Sequence, residues 1–176
     1  GVTGSNFPDN FTTVTLNGTV EFNGSVAQTI PAFNYRDLTS SSTGARTLVS
    51  SGTIGIAGSF TPGTNSYTVT GSLVDYNGTS AQTIASFTYI NLTVSNAVDT
   101  SAANYKTAAN TLTVGGTLTV NSGNTLDMDS FSASTFGTGS TNSGKIRWSG
   151  DNVYVDGTGT TEFYGSSAGN VAAGAN

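Results

Sequence analysis

The sequence predicts an all-β fold and, within that class, a single-domain parallel β-helix (β-solenoid) with short strands and Gly/Asn corners. Three observations support this prediction: the composition, the alternation of apolar and polar residues, and internal repetition. Of the 176 residues, 35% are hydrophobic and 9% are charged, a balance that often accompanies disorder. Disordered chains are rich in Lys, Glu and Pro, whereas this chain has 3 Pro and is rich in Thr, Ser, Gly and Asn. That composition favours many strands joined by turns.

Two stretches carry nearly the same phrase, VEFNGSVAQTI from Val20 and VDYNGTSAQTI from Val74, at a shift of 54 residues (Glu21 to Asp75). A blurred third version, TEFYGSSAGNV, begins at Thr161. The copies fall near residues 18–39, 71–93 and 157–173 of one domain that spans residues 1–176. Stacked coils place equivalent residues above one another, which explains the repetition. A β-sandwich has no such need, and it is the alternative.

Short runs along the chain alternate apolar with polar side chains and end at Gly, Asn or Ser. This period of two directs one face inward and predicts strands. Examples are Val20–Phe22, Tyr67–Val69, Leu118–Val120 and Val153–Val155. A second pair of related phrases, TLVSSGTIGIAG from Thr47 and TLTVGGTLTVNS from Thr111, extends the repetition. No stretch shows sustained helical periodicity.

Gly-containing pairs close several of these runs and predict corners in which Gly takes a positive φ. The pairs are Asn23-Gly24, Asn77-Gly78 and Ser149-Gly150. The apolar residues of the first copy are predicted to point inward and to stack directly on those of the second. The predicted ladders join Val20, Phe22, Ile30, Phe33 and Leu38 to Val74, Tyr76, Ile84, Phe87 and Leu92.

Charge and hydropathy argue against two classes of partner. The net charge is −5 with only 5 Lys and Arg residues, so clustered cations for binding nucleic acid are not expected. No apolar run approaches the ~20 residues that span a bilayer, so no membrane insertion is expected. The chain does not start with a basic and hydrophobic export signal, and any such signal is expected to have been removed or to lie outside it.

The chain is predicted not to be an enzyme. It contains no His and no Cys, so Ser-His-Asp and Cys-His arrangements and the common zinc sites are not available. Four acids, Asp127, Asp129, Asp151 and Asp156, offer a Ca²⁺ site or a glycosidase pair as alternatives. Solvated strands and turns explain them more simply. We therefore predict no catalytic residues, no cofactor and no metal site.

Two ligand-binding alternatives arise from residue spacing. Thr-x-Thr pairs, which could form a flat ice-binding array, occur at Thr13/Thr15, Thr68/Thr70, Thr111/Thr113 and Thr117/Thr119. The pairs do not fall at one position of the repeat, which weakens this reading. Aromatic residues that could bind glycans are Tyr35, Tyr89, Tyr105 and Trp148, although packing in the core is the favoured role.

Incomplete repeats at both ends predict self-assembly. The N-terminal segment has Phe11 and Leu16 in the Phe-x4-Leu spacing of the back half of a repeat, and the third copy breaks off after its front half. Two copies placed end to end would read as a continuous repeat. The predicted polymerisation interface comprises Phe11, Val14, Leu16, Phe163, Val171 and Ala173. A capped module, or one excised from a longer repeat protein, is the alternative.

The phrases GTVEFNGSVAQTIPAFNYRDLT (from Gly18) and GTLTVNSGNTLDM (from Gly116) resemble the repeats of bacterial cell-surface β-helix proteins. This class includes autotransporter passengers and filamentous-haemagglutinin-like adhesins. The resemblance implies a secreted protein at the bacterial cell surface, without catalytic residues. The expected function is a structural subunit of an extracellular filament or surface fibre, with an adhesion or matrix role. Its expected partner is itself, and glycans or other surface polymers are further candidates. The alternatives are a monomeric ice- or glycan-binding solenoid and a fragment of a large surface adhesin.

Overall fold

A computed structural model describes residue 14 and residues 16–96, 104–129, 135–136, 139–148 and 160–163. These residues form short β-strands, and no α-helix occurs among them. The first ten strands are β1 (Leu16–Phe22), β2 (Gln28–Ile30), β3 (Asn34–Ser40), β4 (Arg46–Leu48), β5 (Ile54–Ile56), β6 (Phe60–Thr61), β7 (Tyr67–Thr68), β8 (Leu73–Tyr76), β9 (Gln82–Ile84) and β10 (Thr88–Tyr89). The others are β11 (Asn91–Val94), β12 (Lys106–Ala108), β13 (Thr113–Val114), β14 (Thr117–Val120), β15 (Thr125–Asp127), β16 (Thr135–Phe136), β17 (Gly139–Asn142), β18 (Lys145–Trp148) and β19 (Thr160–Phe163).

The strands stack into four parallel sheets. Sheet A has the order β1-β3-β5-β8-β11-β14-β17, with β6 beside β3. Sheet B has the order β2-β4-β7, sheet C the order β9-β12-β15-β18-β19, and sheet D the order β10-β13-β16. The chain returns to sheet A once in every coil, and each described coil adds one strand to each sheet that it crosses, except that the third coil adds both β5 and β6 to sheet A.

This topology is a parallel β-solenoid of about six turns, as the sequence predicts. Every strand pair in the described residues is parallel, beginning with β1 and β3. A β-sandwich is built from antiparallel strands joined by hairpins and Greek-key connections. The β-sandwich alternative is therefore wrong.

The core is a set of side-chain columns that run along the axis of the stack. In sheet A, one column joins Ile54, Val74, Leu92 and Leu118, which are neighbours in consecutive strands. All four are at most 1% exposed. The intervening residues point outward because successive side chains of a strand alternate between its faces. Each buried aliphatic side chain contributes roughly 1.5–3 kcal/mol relative to an exposed one.

The predicted inward direction of the repeat residues is confirmed, but their predicted stacking is wrong. Of the ten residues, Phe22, Ile30, Leu38, Val74, Tyr76, Ile84 and Leu92 are buried, and Val20, Phe33 and Phe87 are half-buried. However, β3 and β5 lie between the first copy's β1 and the second copy's β8. The first copy's β2 belongs to sheet B, and the second copy's β9 to sheet C. A period of 54 residues thus covers three coils, so each copy stacks on other sequences.

Candidate functional site

The structure describes three of the six predicted interface residues. Leu16 begins β1, residue 14 lies just before that strand, and Phe163 ends β19. Val14 and Leu16 line one surface groove together with Asn17, Asn34, Arg36 and Ala57. Phe163 belongs to the last strand of sheet C, whereas Leu16 belongs to the first strand of sheet A. Phe11, Val171 and Ala173 lie outside the described residues.

The first strand presents an edge that no described residue pairs with. Within the described residues, β1 pairs with β3 alone. Ser41 N–H donates to Phe22 O (3.1 Å), so the backbone groups of Phe22 point toward β3. Because this direction alternates along a strand in a parallel ladder, the N–H and C=O groups of Thr19 and Glu21 point away from β3. The edge therefore offers a row of hydrogen-bonding groups to another strand.

Apolar side chains of the first coil, formed by β1 and β2, are less covered than those deeper in the stack. Leu16 and Val20 pack against the core but are only half-buried. Val26, in the turn after β1, is 56% exposed and is the one large hydrophobic residue of the described chain that is exposed. The first described coil thus combines partly exposed core residues with a strand edge that no described residue pairs with.

A corner with the same hydrogen bonds follows the sheet A strand in both copies of the repeat. We call residues 23–27 the first corner and residues 77–81 the second corner. In the first, Gly24 N–H donates to Gln28 Oε1 (2.8 Å), and in the second Gly78 N–H donates to Gln82 Oε1 (2.8 Å). The repeated sequence therefore encodes a local structure, in which a Gln side chain closes the turn that precedes it.

The two corner glycines do not have the predicted positive φ, which occurs instead at Gly52, Gly63, Gly71 and Gly123. The limited space around the two backbones explains why glycine occupies these positions. A Cβ on Gly78 would lie 2.3 Å from Ala57 O, and a Cβ on Gly24 would lie 2.8 Å from the Gln28 side chain. Gly is required at position 78 because a backbone oxygen approaches it closely, whereas at position 24 a larger residue would displace the Gln28 side chain. Ser149-Gly150, the third predicted corner, lies outside the described residues.

A buried cation covers each corner from the next coil. Arg46 is the strand neighbour of Gln28, and Lys106 is the neighbour of Gln82; both cations are 0% exposed. The Arg46 guanidinium donates to the carbonyl oxygens of Ser41 (2.6 Å), Phe22 (2.7 Å), Gly44 (2.7 Å) and Gly24 (3.1 Å). One of these bonds satisfies the carbonyl group of Gly24 in the corner, and the others join the corner to the end of β1 and to residues 41–44 of the next coil.

Lys106 has the same role in the second corner. Its ammonium group donates to Gly78 O, to Ser80 O (3.0 Å) and to Gln82 Oε1 (2.5 Å). Burial lowers the pKa of Lys106 to about 8, and the negative charge of Asp75 opposes this shift. Burial raises the pKa of Asp75, whose carboxylate accepts hydrogen bonds from Ser95 Oγ (2.8 and 2.9 Å).

The sequence does contain a signal for these two buried cations, although the pattern of apolar residues does not reveal it. The triplets Arg46-Thr47-Leu48 and Lys106-Thr107-Ala108 have the pattern of the Gln-Thr-Ile triplets on which they stack. In a chain with only five cations, one cation at the corresponding place in each coil that follows a copy of the repeat indicates a buried structural role.

The tyrosines proposed as glycan contacts lie in the core. Tyr35 and Tyr89 are 0% and 1% exposed, and their hydroxyl groups donate to carbonyl oxygens four residues earlier, Pro31 O (2.9 Å) and Ala85 O (3.0 Å). Burial raises the pKa of both. The favoured packing role is thus correct for these two. Tyr105 is half-buried, and the Arg147 guanidinium lies 4.9 Å from the centre of its ring. The side chain of Trp148 is not among those that the structure describes.

The Thr-x-Thr pairs do not stack on one another. Thr68 lies in sheet B, Thr113 in sheet D, and Thr117 and Thr119 in sheet A, while Thr70 and Thr111 lie next to the strands of Thr68 and Thr113. The pair Thr13/Thr15 lies outside the described residues. Sheet B does contain a column of single threonines, however. Thr29, Thr47 and Thr68 are strand neighbours, and all three are exposed.

The acids considered as metal ligands have other contacts. Asp127 lies 3.6 Å from the Arg147 guanidinium, and its Oδ1 accepts a hydrogen bond from Asp129 N–H (3.0 Å). Asp151 and Asp156 lie outside the described residues. Across the residues that the structure does describe, no three His, Cys, Asp or Glu side chains come together as a metal site requires. No helix in this part of the chain is long and apolar enough to cross a membrane.

Comparison with protein-family models, with curated proteins and with solved structures gives no match for this chain. The geometry of the first coil, its corner and the exposed face of sheet B therefore carries the functional argument.

Proposed function

We propose that this chain is a structural subunit of an extracellular filament or surface fibre that assembles head to tail through the ends of its solenoid. One observation carries the proposal: among the described residues only β3 pairs with β1, so the other edge of β1 has no described partner beside the half-buried Leu16 and Val20. A strand that adds to this edge gains main-chain hydrogen bonds and covers apolar surface at the same time.

The geometry of a solenoid makes a second copy a suitable partner for this edge. Every sheet of the described chain grows by parallel addition, and the described strands end with β17 in sheet A and β19 in sheet C. A contact between opposite ends uses two different surfaces, and copies stacked along one axis do not close into a ring, so this contact produces a filament. The resemblance to cell-surface β-helix proteins supports a secreted location and a role in adhesion or a matrix.

A proline at the edge tests the proposal. Thr19 is exposed and its N–H points away from β3, so Thr19→Pro removes a group that only an added strand would use. We expect Thr19→Pro to abolish self-association and to leave the thermal stability of the monomer nearly unchanged. The matched control is Thr19→Val, which retains the N–H and should assemble like the parent chain.

Sedimentation velocity over a concentration series and negative-stain electron microscopy provide the measurement. Fibres should show a subunit spacing of at least ~29 Å, for six coils at ~4.8 Å each. A parent chain that stays monomeric at the highest soluble concentration contradicts the proposal, as does a Thr19→Pro variant that assembles normally.

Ice binding by the exposed face of sheet B is the second candidate function. The column of Thr29, Thr47 and Thr68 presents hydroxyl and methyl groups at the ~4.8 Å spacing of neighbouring strands. The one charged residue of these strands, Arg46, is buried. If this face binds ice, Thr47→Lys should remove inhibition of ice recrystallisation, whereas Thr43→Lys, at an exposed position in the preceding loop, should not. No inhibition by the parent chain would exclude this candidate.

A further inference from the structure

The second corner shows what a Gln side chain at this position does when a coil lies beneath it. Gln82 Oε1 accepts the hydrogen bond from Gly78 N–H, and its Nε2 donates to Ile56 O and Gly58 O, both at 2.8 Å. These two carbonyl groups belong to the preceding coil. Gln82 is buried and thus joins one coil to the next through both ends of its carboxamide.

In the first corner, the equivalent carboxamide of Gln28 forms a hydrogen bond through its oxygen but not, among the described residues, through its nitrogen. Gln28 Oε1 accepts from Gly24 N–H at 2.8 Å, the distance found in the second corner. Gln28 is half-buried, and among the described residues none accepts a hydrogen bond from its Nε2. The reason is its place in the fold, because β1 and β2 form the first described coil and no described strand lies beneath them.

We propose that Gln28 Nε2 is a recognition group for a second copy of this chain and donates to two main-chain carbonyl oxygens in that copy's last coil. The inference rests on the proposed head-to-tail assembly and names a side chain that selects its partner. Gln82 identifies the partner's chemistry: two carbonyl groups two residues apart, one in the last residue of a sheet A strand (Ile56 of β5) and one just beyond it (Gly58). Main-chain edges pair with many strands, whereas this contact requires the end of a strand in a stacked solenoid coil.

The position of Gln28 places this contact beside the edge of β1. β2 follows β1 after the five residues of the first corner, and the half-buried Val20 and Leu16 lie on the same end of the stack. A coil that pairs with Thr19 and Glu21 therefore continues beneath Gln28, as the preceding coil continues beneath Gln82.

Gln28→Glu separates this role from the folding of the corner. Glutamate keeps the oxygen that accepts from Gly24 N–H but has no N–H to donate, and its charge is repelled by carbonyl oxygens. We expect Gln28→Glu to weaken self-association at least ~10-fold, since two hydrogen bonds are lost. The thermal stability of the monomer should stay within about 2 °C of the parent chain.

Gln82→Glu is the matched control, because the same change in the second corner breaks bonds within one molecule. It should lower the stability of the monomer, and molecules that remain folded should associate with the parent affinity. Should Gln28→Glu fail to fold, Gln28→Met, which has a similar volume and no donor, replaces it in the same measurement.

Sedimentation velocity distinguishes the failure of this inference from the failure of the proposed function. Assembly of the parent chain and at least ~10-fold weaker assembly of Gln28→Glu supports both. Equal assembly of the two overturns the role of Gln28 and leaves the filament in place. A parent chain that is monomeric throughout overturns the filament and, with it, this inference.

Discussion

Arg46 and Lys106 fill equivalent corners with different cations. A guanidinium has five N–H donors and an ammonium group has three. Arg46 accordingly binds five carbonyl groups, those of Phe22, Gly24, Ser41, Gly44 and Ala45, whereas Lys106 binds two carbonyl groups and the Gln82 carboxamide. In both corners the cation satisfies the carbonyl oxygen of the corner glycine, a group that is costly to bury unpaired.

We expect Lys106→Met to destabilise the fold by about 3 kcal/mol. The methionine fills similar space but removes the donor to the buried carbonyl oxygen of Gly78 and to the part-buried carbonyl oxygen of Ser80, and an unsatisfied buried group costs about 1–3 kcal/mol. Urea denaturation followed by circular dichroism measures the change. The control is Arg36→Ala, because the Arg36 side chain is 66% exposed and its loss should change the free energy of unfolding by less than about 0.5 kcal/mol. Equal effects of the two substitutions would contradict a role for Lys106 in the corner.

The titration of Lys106 makes stability depend on pH. Burial lowers its pKa from 10.5 to about 8, so between these values the unfolded chain binds a proton that the folded chain does not. The free energy of unfolding therefore rises as pH increases from 8 toward 10.5, by at most about 1.4 kcal/mol per pH unit. In the other direction, this stability is lost as pH falls through 8.

Lys106→Arg isolates this effect. Arg46 shows that a guanidinium fits the equivalent corner, and arginine stays protonated throughout this range. Between pH 8 and pH 10 the parent chain should gain stability relative to Lys106→Arg in urea titrations. Ionisation of the buried tyrosines cancels in this difference because both proteins contain them. A difference that is constant with pH would show that Lys106 does not titrate in this window.

At the scale of single residues, the sequence predicts which apolar residues are buried better than it predicts which polar residues are buried. The inward position of Phe22, Ile30 and Tyr35 follows from a period of two, which any strand with one buried face must have. Arg46 and Lys106 were missed because charged residues are rarely buried unless they are paired, and their partners here are backbone carbonyls. Every residue has a backbone carbonyl group, so the sequence does not show which of these groups will bind a cation.

At the scale of single elements, the corners depend on a close approach between coils. The backbone of the second corner passes directly over Ala57, and Gly78 leaves room for the Ala57 carbonyl oxygen. In the second corner the Asn-Gly pair is therefore a requirement of stacking rather than of a left-handed turn.

We expect Gly78→Ala to destabilise the fold by about 2–4 kcal/mol, because the added Cβ would lie 2.3 Å from Ala57 O and the corner would have to move. Gly18→Ala is the control: no heavy atom lies within 4 Å of its Cβ position, and its φ is not positive. Its effect should be within about 1 kcal/mol of zero and can be favourable, since Ala restricts the unfolded chain. Thermal denaturation at low protein concentration, where only monomers are present, compares the two. A Gly78→Ala variant as stable as Gly18→Ala would show that the corner yields to the added methyl group.

The repeat correctly predicts the local structure of each copy, but it does not correctly predict which strands stack on one another. Both copies form the same corner and the same tyrosine hydrogen bond four residues back, because these contacts lie within a few residues of chain. The stacking partner of a strand depends on the number of residues in each coil. That number varies here: β3 pairs with both β5 and β6, and three residues, 57–59, separate those two strands. Such an interruption has no counterpart in the repeated phrases.

At the scale of the whole molecule, the fold class follows from few features of the sequence. Short alternating runs, Gly-rich corners and repetition are consistent with a stack of coils. The division into four sheets does not follow from them, because it depends on where each coil bends. The candidate site is divided in the same way. Leu16 and Val14 lie at the predicted end of the stack, whereas the role of Gln28 follows only from the contact that its copy, Gln82, makes with another coil.

Self-assembly should leave a distinct pattern in amide hydrogen exchange along β1. In the isolated molecule, the amides of Val20 and Phe22 point toward β3 and should be protected, whereas those of Thr19 and Glu21 point outward and should exchange quickly. Pairing with a second copy supplies acceptors to the outward amides and should slow their exchange by at least about tenfold, with little change at Val20 and Phe22. Residue-resolved exchange above and below the assembly concentration measures this. Uniform slowing along β1 would indicate that association merely stabilises the monomer, and no slowing at Thr19 and Glu21 would place the contact elsewhere. Alternation with a period of two is the signature that only strand addition to this edge produces, because side-chain contacts cover consecutive amides alike.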